Sequence, residues 1–252
     1  MSFARLDDEL ARWADAGRVA TFWWRDDDAV AATRALARLA ALARAHDVPV
    51  VLAVVPAALE SSLGEAVERL SQCTVVQHGY AHANHAPSGA KSCELGSGRP
   101  RAIVARELDA GRERLAATFG DRFLPVLVPP WNRIDEALVA GLPSLGYVGL
   151  STFAPRRARR SAPGLVRCNA HVDPIAWREG RRFAGTERAL DAVVRHLAQR
   201  REGTVDADEP TGLLTHHLVF DEDAWHFADA LLGRTHGHAA ARWLGAAQAF
   251  AG

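Results

Sequence analysis

The chain has 252 residues, 48% of them apolar, which is enough for a sizeable core in one large or two small domains. Its 30 basic and 30 acidic side chains cancel to a net charge of +0, so it lacks the basic excess that binding to nucleic acid requires. The first residues, M-S-F-A-R-L-D-D-E-L-A-R-W, carry charges and lack the apolar run of a signal peptide or membrane span. These features predict a cytoplasmic protein with no nucleic-acid partner and no membrane partner.

From Val19 onward, short apolar runs alternate with segments of helical periodicity. The first unit predicts a strand at 19–25, a helix at 31–46 and a strand at 48–55. Further strands are predicted at 74–77, 123–128, 147–151, 165–172 and 212–220, and helices at 61–70, 101–119, 135–140, 186–200 and near the C-terminus. About seven such alternations predict parallel strands joined by right-handed crossovers, as in a barrel or a doubly wound sheet.

Two irregular segments interrupt this alternation. Residues 83–100 are rich in Gly, Ser and Pro and are too long for a simple connection, so they form either a functional loop or a floppy insertion. The basic run P-R-R-A-R-R-S-A-P-G at 155–164 could bind phosphate, but its position at a turn between prolines favours a solvated loop.

Reactive side chains follow the predicted strands at their carboxyl ends, where α/β folds place their functional sites. They are Arg25, Asp26, Asp27 and Asp28; His78 and His82; Pro130, Trp131 and Asn132; His171 and Asp173; and His216 and His217. Carboxylates and imidazoles from four strands would converge on one rim of a barrel. Divalent metals such as zinc use this combination of ligands.

The three adjacent aspartates repel one another unless a cation or an arginine is near, or one of them stays protonated. An acidic helix N-terminus is the alternative, because D-D-D-A-V before a helix is a good start signal. The apolar strand W-W-R that runs directly into the aspartates favours a functional site.

The stretch H-G-Y-A-H places His78 and His82 at positions i and i+4, which would bring both rings to one face of a helical turn, as in zinc-binding H-E-x-x-H. Gly79 permits a tight exit from the strand. His85 could be a third ligand, a partner of a ligand, or a surface residue. Of the pair His216 and His217, strand alternation lets only one point into the barrel mouth as an acid or base.

The order of these motifs resembles the polysaccharide deacetylase family, the NodB-type carbohydrate esterases. R-D-D-D-A at 25–29 resembles the family's T-F-D-D-G, and H-G-Y-A-H at 78–82 resembles H-[ST]-x-x-H. V-P-P-W-N at 128–132 resembles R-x-P-[aromatic]-G, and L-T-H at 214–216 resembles the late L-x-H motif. The resemblance implies a distorted (β/α)7-type barrel, a single domain over residues 1–252, and a divalent metal, most often zinc.

Carried over residue by residue, the resemblance implies that Asp27 is the general base and His216 the general acid. It implies Asp28, His78 and His82 as metal ligands, although a slip of one residue would make Asp26 and Asp27 the base and ligand. Substrate contacts are expected from Pro130, Trp131, Asn132 and Arg25, and supporting positions around the site from Asp26, His85, His171, Asp173 and His217.

The chain departs from the family pattern at two motifs. Val128 stands where the family has the arginine that holds the base, and Arg25 or Arg133 could replace it. The family's Asp-Trp motif is not recognisable in G-L-S-T-F at 149–153, and H-V-D-P-I-A-W at 171–177 could take over part of its role.

The resemblance therefore predicts a metal-dependent hydrolase that removes an N-acetyl or similar acyl group from a small molecule, most simply a sugar, with a water activated by the metal. Trp131, with Trp24 or Trp177, would form an apolar wall for the substrate. Two alternatives stay open at this stage: hydrolysis of another C–N bond such as a cyclic amide, and a non-catalytic carbohydrate-binding barrel that retains the metal.

Overall fold

The computed structural model describes residues 2–70 and 72–252. The strands are β1 Ala20–Ala29, β2 Val50–Val54, β3 Cys73–His78, β4 Phe123–Val128, β5 Gly149–Leu150, β6 Arg160–Ala162, β7 Leu165–Arg167, β8 Ile175–Ala176, β9 Arg182–Phe183, β10 Thr211–Thr215 and β11 Ala241–Trp243. The helices are α1 Ala4–Asp15, α2 Arg34–Ala45, α3 Ser61–Glu68, α4 Arg101–Phe119, α5 Glu136–Val139, α6 Thr186–Glu202, α7 Glu222–His236 and α8 Ala246–Ala249. None of these described helices combines the length and the apolarity needed to cross a membrane.

Among the described residues, the main sheet has nine strands. Seven parallel strands follow one another in the order β10-β1-β2-β3-β4-β5-β7, β6 is antiparallel on β7, and β11 is parallel on β1. The chain beyond β7 then closes the sheet on itself. Val172 forms a bridge with Leu213, and the Leu214 N–H donates to the Val172 carbonyl at 2.8 Å. Closure confirms the distorted (β/α)7-type barrel and excludes the open doubly wound sheet.

Strand alternation divides the apolar side chains between the inside and the outside of the barrel. Trp23, Val51 and Ala53 belong to the inner cluster, and Phe250 from the end of the chain packs edge-on against Trp23 with ring centroids 5.6 Å apart. Their sequence neighbours, such as Trp24, belong to the outer cluster with the helices. Strand β1 is buried on both faces. Alternation therefore also directs each of the polar residues from Arg25 onward either to the inside or to the outside of the barrel.

Strand β1 is longer than predicted and carries all three aspartates. The acidic helix N-terminus considered from the sequence is therefore wrong: Thr33 caps α2 instead, and its side chain accepts a hydrogen bond from the Leu36 N–H at 3.0 Å. Strand β10, in contrast, ends at Thr215, before the two histidines, because the Val219 and Phe220 N–H groups turn back onto the His216 carbonyl.

The two irregular segments differ in how they are held. Residues 83–100 contain buried Glu94 and Leu95, and Leu95 bridges to Ile134, so the segment is tied to the barrel rim rather than floppy. The basic run is largely exposed, but it is not only a loop: Arg160–Ala162 form strand β6. Arg156 is buried, and its Nε donates to Asp206 Oδ2 at 2.7 Å.

Gly212 makes the closing contact of the barrel possible. A Cβ at this position would lie 2.5 Å from Trp23 Nε1 and 2.6 Å from the Asn169 carbonyl oxygen. We expect Gly212→Ala to lower the free energy of unfolding by about 1–3 kcal/mol, measured by urea denaturation, because the closed sheet must shift. Gly237→Ala is the matched control, since nothing lies within 4 Å of its Cβ position; it should change stability by less than about 0.5 kcal/mol. Equal effects of the two substitutions would contradict this account of closure.

Candidate metal centre

Arg25 and Asp27 point into the barrel, two residues apart on one face of β1. Asp28 would be expected to point outward by alternation. However, Asp28 has a positive φ of 70°, and the register between β1 and β2 shifts between Asp26 and Ala29. Such a bulge re-aims side chains next to functional sites, so both Asp27 and Asp28 line the same cavity.

The carboxylate of Asp28 meets the two imidazoles of the H-G-Y-A-H stretch. Its Oδ1 lies 3.1 Å from His78 Nε2 and 3.3 Å from His82 Nε2. The three ligand atoms lie within 4.8 Å of one another, as the donor set of one metal ion requires. The structure thus brings together the three residues that the family resemblance implies as ligands.

The backbone places the two histidines by a route that the sequence did not predict. Between them the chain forms no helical turn; Gly79 and His82 have positive φ angles of 55° and 53°. His78 Nδ1 lies 2.9 Å from the Val128 carbonyl. As the donor to this carbonyl, Nδ1 carries the proton and leaves the Nε2 lone pair facing Asp28, the usual arrangement of a metal-binding histidine.

The electrostatics of this group suit a cation. Burial alone would raise the pKa of Asp28, but the neighbouring His78 lowers it well below its usual range. Burial would lower the pKa of His78, but the carboxylates of Asp27 and Asp28 outweigh this and raise it. Burial lowers the pKa of His82, and the nearby His78 lowers it further. Asp28 Oδ1 is buried without a properly aligned hydrogen-bond donor from the described residues. If both imidazoles are neutral, as metal ligands are, the carboxylate needs another positive partner, which a divalent ion would supply.

Of the two arginines considered from the sequence, Arg25 is the one that pairs with Asp27. Its Nε and Nη2 donate to Asp27 Oδ1 and Oδ2 at 2.9 and 3.0 Å, and both side chains are buried. Arg133 instead donates to the Ser92 carbonyl at 2.7 Å. The expectation that Arg25 contacts substrate is wrong, because the side chain is 0% exposed.

Three further bonds hold the Arg25 guanidinium. Nη1 donates to Ser151 Oγ at 2.7 Å and to the Thr152 carbonyl at 3.3 Å, and Nη2 donates to Asn132 Oδ1 at 2.7 Å. Ser151 belongs to G-L-S-T-F at 149–153, the stretch without a recognisable Asp-Trp motif. No carboxylate lies in this stretch, and Ser151 instead accepts a hydrogen bond from Arg25.

Asp26 points to the opposite side of β1 and forms a separate buried cluster. It accepts hydrogen bonds from Thr215 Oγ1 at 2.6 Å and from the His217 N–H at 3.0 Å, and it pairs with His217 Nδ1. Burial lowers the pKa of His217, but the charge of Asp26 outweighs this and raises it. Asp26 therefore lies apart from the candidate metal group, which is Asp28, His78 and His82. Of the two registers considered, the fold selects the one with Asp27 and Asp28 in the cavity.

His216 lines the same cavity as Asp27 and the metal group. The Trp177 ring packs edge-on against the His216 ring with centroids 4.7 Å apart. His216 Nδ1 is buried without a hydrogen-bond partner in the described part of the chain. Asp173 lies near enough to interact electrostatically with His216, and its Oδ2 accepts a hydrogen bond from Trp177 Nε1 at 2.7 Å. Burial raises the pKa of Asp173.

The three residues after β4 have different positions. Trp131 and Asn132 have positive φ angles of 55° and 57° and line the cavity, and the Trp131 ring lies 4.4 Å from that of His82. Pro130 is buried; its ring closes the space beside Gly79, where a Cβ would lie 2.6 Å from Pro130 Cδ. The predicted substrate contact by Pro130 therefore becomes a packing role.

The cavity has a volume of about 680 Å³, which accommodates a small molecule. Besides the residues already placed there, its lining includes Arg133, Phe153, Ile175, Arg178 and Arg181.

Two of the predicted supporting histidines lie elsewhere. His85 is exposed, and its backbone N–H donates to the Cys93 carbonyl. His171 is buried beside the closing strand, where its Nδ1 accepts the Gly212 N–H at 3.0 Å and its Nε2 faces Glu209 Oε2 at 3.3 Å. Its ring stacks on His196 with centroids 3.5 Å apart and planes at 16°. Among the described residues, the Nε2 atoms of both rings are buried without a hydrogen-bond partner, and with Glu209 they form a second group of ligand-type atoms that lie within 4.8 Å of one another, separate from the cavity.

Glu94 is the residue that sequence reasoning left unassigned. It is 0% exposed, and its carboxylate accepts the Tyr80 and Ala81 N–H groups at 3.1 and 2.7 Å. A Cβ on Gly79 would lie 2.0 Å from Glu94 Oε2, so the carboxylate occupies the space that a side chain at position 79 would need. A lone glutamate in a long loop gave no signal for this contact.

We expect Glu94→Gln to weaken zinc binding at least about tenfold, because the amide presents an N–H to a backbone N–H and loosens the turn that carries His82. Competition with a zinc chelator measures this affinity. Glu107→Gln, which removes an ion pair with Arg99, is the control and should bind zinc like the wild type. Unchanged affinity in Glu94→Gln would rule out a positioning role.

We expect Arg25→Met to lower the free energy of unfolding by about 3–5 kcal/mol, because Asp27 is left buried without its partner. Arg69→Met breaks an exposed pair with Glu65 and should cost less than about 1 kcal/mol. The double variant Arg25→Met, Asp27→Leu should recover part of the loss in urea denaturation. If it does not, lost packing rather than an unpaired charge explains the effect.

No family model matches the sequence, and no curated protein matches it. Solved structures do match. A family 4 acetyl xylan esterase from Clostridium thermocellum in complex with a cobalt ion is 12% identical, with a TM-score of 0.56 over 91% of this chain and 90% of its own.

Two further matches have the same architecture. A peptidoglycan deacetylase, PdaC, from Bacillus subtilis is 12% identical, with a TM-score of 0.58 over 92% of this chain and 90% of its own. A CE4 esterase from Streptococcus mutans is also 12% identical, with a TM-score of 0.58 over 93% and 89%. The closed barrel and these matches show that the chain has the fold of the NodB-type polysaccharide deacetylases.

Proposed function

We propose that the protein is a metal-dependent hydrolase that removes an acetyl or similar acyl group from a small molecule, most simply an N-acetylated sugar. The observation that carries the proposal is the arrangement around one cavity: the Asp28, His78 and His82 group, the Arg25-bound Asp27, and His216. The similar structures are named as a deacetylase and esterases, and one holds a cobalt ion.

Asp28, His78 and His82 would hold the ion. One carboxylate and two neutral imidazoles are a donor set that suits zinc and leaves positions for water and substrate. A divalent ion bound there would lower the pKa of a water molecule and polarise an acyl carbonyl.

Asp27 is proposed to accept the proton of the attacking water. Its two oxygens accept hydrogen bonds from Arg25, which fixes the orientation of the carboxylate at the cavity. The hydrogen bonds from Arg25 to Ser151 and Asn132 fix the arginine in turn. A backbone N–H near Trp131 is proposed to stabilise the oxyanion of the tetrahedral intermediate.

His216 is proposed to protonate the departing amine or alcohol. It lines the cavity on a different strand end from Asp27, and the Trp177 ring restricts its orientation. Asp173 replaces the missing Asp-Trp motif as the negative charge near His216, consistent with the role suggested for residues 171–177.

Trp131, Trp177 and Phe153 are proposed to form the apolar walls for a sugar ring and an acyl methyl group. Trp24 does not take part: it lies in the outer core, and its Nε1 donates to Thr215 Oγ1. The cytoplasmic location expected from the sequence stays a prediction and favours a small substrate over an extracellular polymer.

Metal analysis of the purified protein is the first test. We expect about one zinc or other divalent metal per chain in the wild type, and loss of that metal in His78→Ala, His82→Ala. His236→Ala, His238→Ala removes two histidines near the end of the chain and should retain the metal. Wild-type protein that takes up no metal even after incubation with zinc would contradict the proposal.

The second test separates a hydrolase from a carbohydrate-binding barrel. We expect Asp27→Asn to retain the metal but to lower kcat at least about 100-fold, because the proton acceptor is lost. Acetate release from N-acetylated and O-acetylated sugars and ring opening of cyclic amides are the activities measured. Asp109→Asn is the control, because Asp109 is half-buried on α4 and does not line the cavity. A wild type that binds the sugars and hydrolyses none of these substrates would indicate the non-catalytic alternative.

A further inference from the structure

We propose that the substrate carries an anionic group, a carboxylate or a phosphate, which Arg178 and Arg181 bind at the mouth of the cavity. The inference rests on the proposed function, which concerns only the acyl group that is hydrolysed. It adds that the rest of the substrate carries a negative charge, which the proposed function does not require.

The two arginines belong to a small hairpin between β7 and α6. Strands β8 and β9 form it, with Ile175 paired to Phe183. Its base is held on both sides: the Ile175 N–H donates to Asp173 Oδ1 at 3.0 Å, and the Phe183 N–H donates to Asp221 Oδ2 at 2.9 Å. The hairpin is thus a fixed part of the cavity wall rather than a loose connection.

Arg178 and Arg181 are exposed, line the cavity, and have no carboxylate within ion-pair distance among the described residues. The nearby acid, Glu179, is already neutralised by Arg188 at 2.9 Å. The Arg181 guanidinium lies 5.8 Å from the Trp177 ring, so it is positioned above an aromatic wall of the cavity. Two unneutralised cations at a cavity mouth attract an anionic ligand.

The charges deeper in the cavity do not cancel this attraction. Asp27 is paired with Arg25, and Asp28 belongs to the Asp28, His78 and His82 group, where a divalent ion would reverse the sign of the charge. The third carboxylate of the lining, Asp173, lies beside His216 and accepts hydrogen bonds from the Ile175 N–H and from Trp177 Nε1. Arg133 adds a further positive charge to the lining, with Nη1 held by the Ser92 carbonyl. The acyl group would therefore bind at the metal end and the anion at the arginine end.

Guanidinium groups suit this task because their planar donor pairs match the oxygens of carboxylates and phosphates. A neutral polymer of acetylated sugars would gain no ionic attraction from these arginines. A small sugar acid or sugar phosphate with an acyl group would contact both ends of the cavity at once.

Matched substrates test the proposal: N-acetylglucosamine as the neutral probe, N-acetylglucosamine 6-phosphate as the phosphate and N-acetylmuramic acid as the carboxylate. We expect wild type to have a higher kcat/KM for at least one anionic probe than for the neutral one. In Arg178→Gln, Arg181→Gln this preference should fall about five- to tenfold, mainly through KM, and it should fall in wild type as salt is raised. The probe that loses more identifies phosphate or carboxylate as the recognised group.

Arg182→Gln is the control, because Arg182 is exposed on the same hairpin but does not line the cavity. It should keep the wild-type preference. A preference for the neutral probe in wild type, or an equal loss in Arg182→Gln and in the double variant, would overturn the proposal.

Binding measured by calorimetry on zinc-loaded Asp27→Asn separates this proposal from the proposed function. Tighter binding of an anionic probe that disappears in Asp27→Asn, Arg178→Gln, Arg181→Gln would support the anion site even if no probe is hydrolysed. Anion binding that survives this variant but is lost in His78→Ala, His82→Ala would reflect capture by the metal alone, and it would overturn the role of the arginines.

Discussion

The buried ion pair between Arg25 and Asp27 is the interaction on which the candidate site depends. Two charges inside a barrel are costly unless each is fully paired. Here the guanidinium donates five hydrogen bonds, two of them to Asp27. Through Ser151 and Asn132 the same guanidinium ties β1 to the end of β5 and to the turn after β4. One arginine therefore fixes the proposed base and three parts of the barrel rim together.

Backbone strain is concentrated around this pair. Asp28, His82, Trp131 and Asn132 all adopt positive φ angles, which cost energy in residues other than glycine, and all four line the cavity. In each case the unusual φ angle directs a side chain into the cavity, where regular strand or helix geometry would not place it. Buried supports hold these conformations, among them Glu94 beneath the Tyr80 and Ala81 amides.

The two sides of β1 have different roles. On the inner side, Asp27 and Asp28 face the cavity, whereas on the outer side Asp26 holds His217 and Thr215 at the end of β10. His216 follows directly from this anchored point, so the acidic run of β1 supports both proposed catalytic positions. The β8–β9 hairpin then places Arg178 and Arg181 on the opposite part of the cavity lining from these aspartates, which is the basis of the proposed anion site.

The sequence by itself determined the alternation of strands and helices and the strand ends that carry the reactive residues, which follow from local periodicity. The family resemblance pointed to His78, His82 and one of the three aspartates as ligands, but it left two registers of the aspartates open. Only the tertiary structure decided that Asp28 lies beside the two histidines, that Arg25 rather than Arg133 pairs with Asp27, that Asp26 faces away, and that His171 packs against His196. Those outcomes depend on the bulge in β1 and on contacts between segments more than 100 residues apart, such as Arg25 with Asn132, for which local sequence patterns contain no signal.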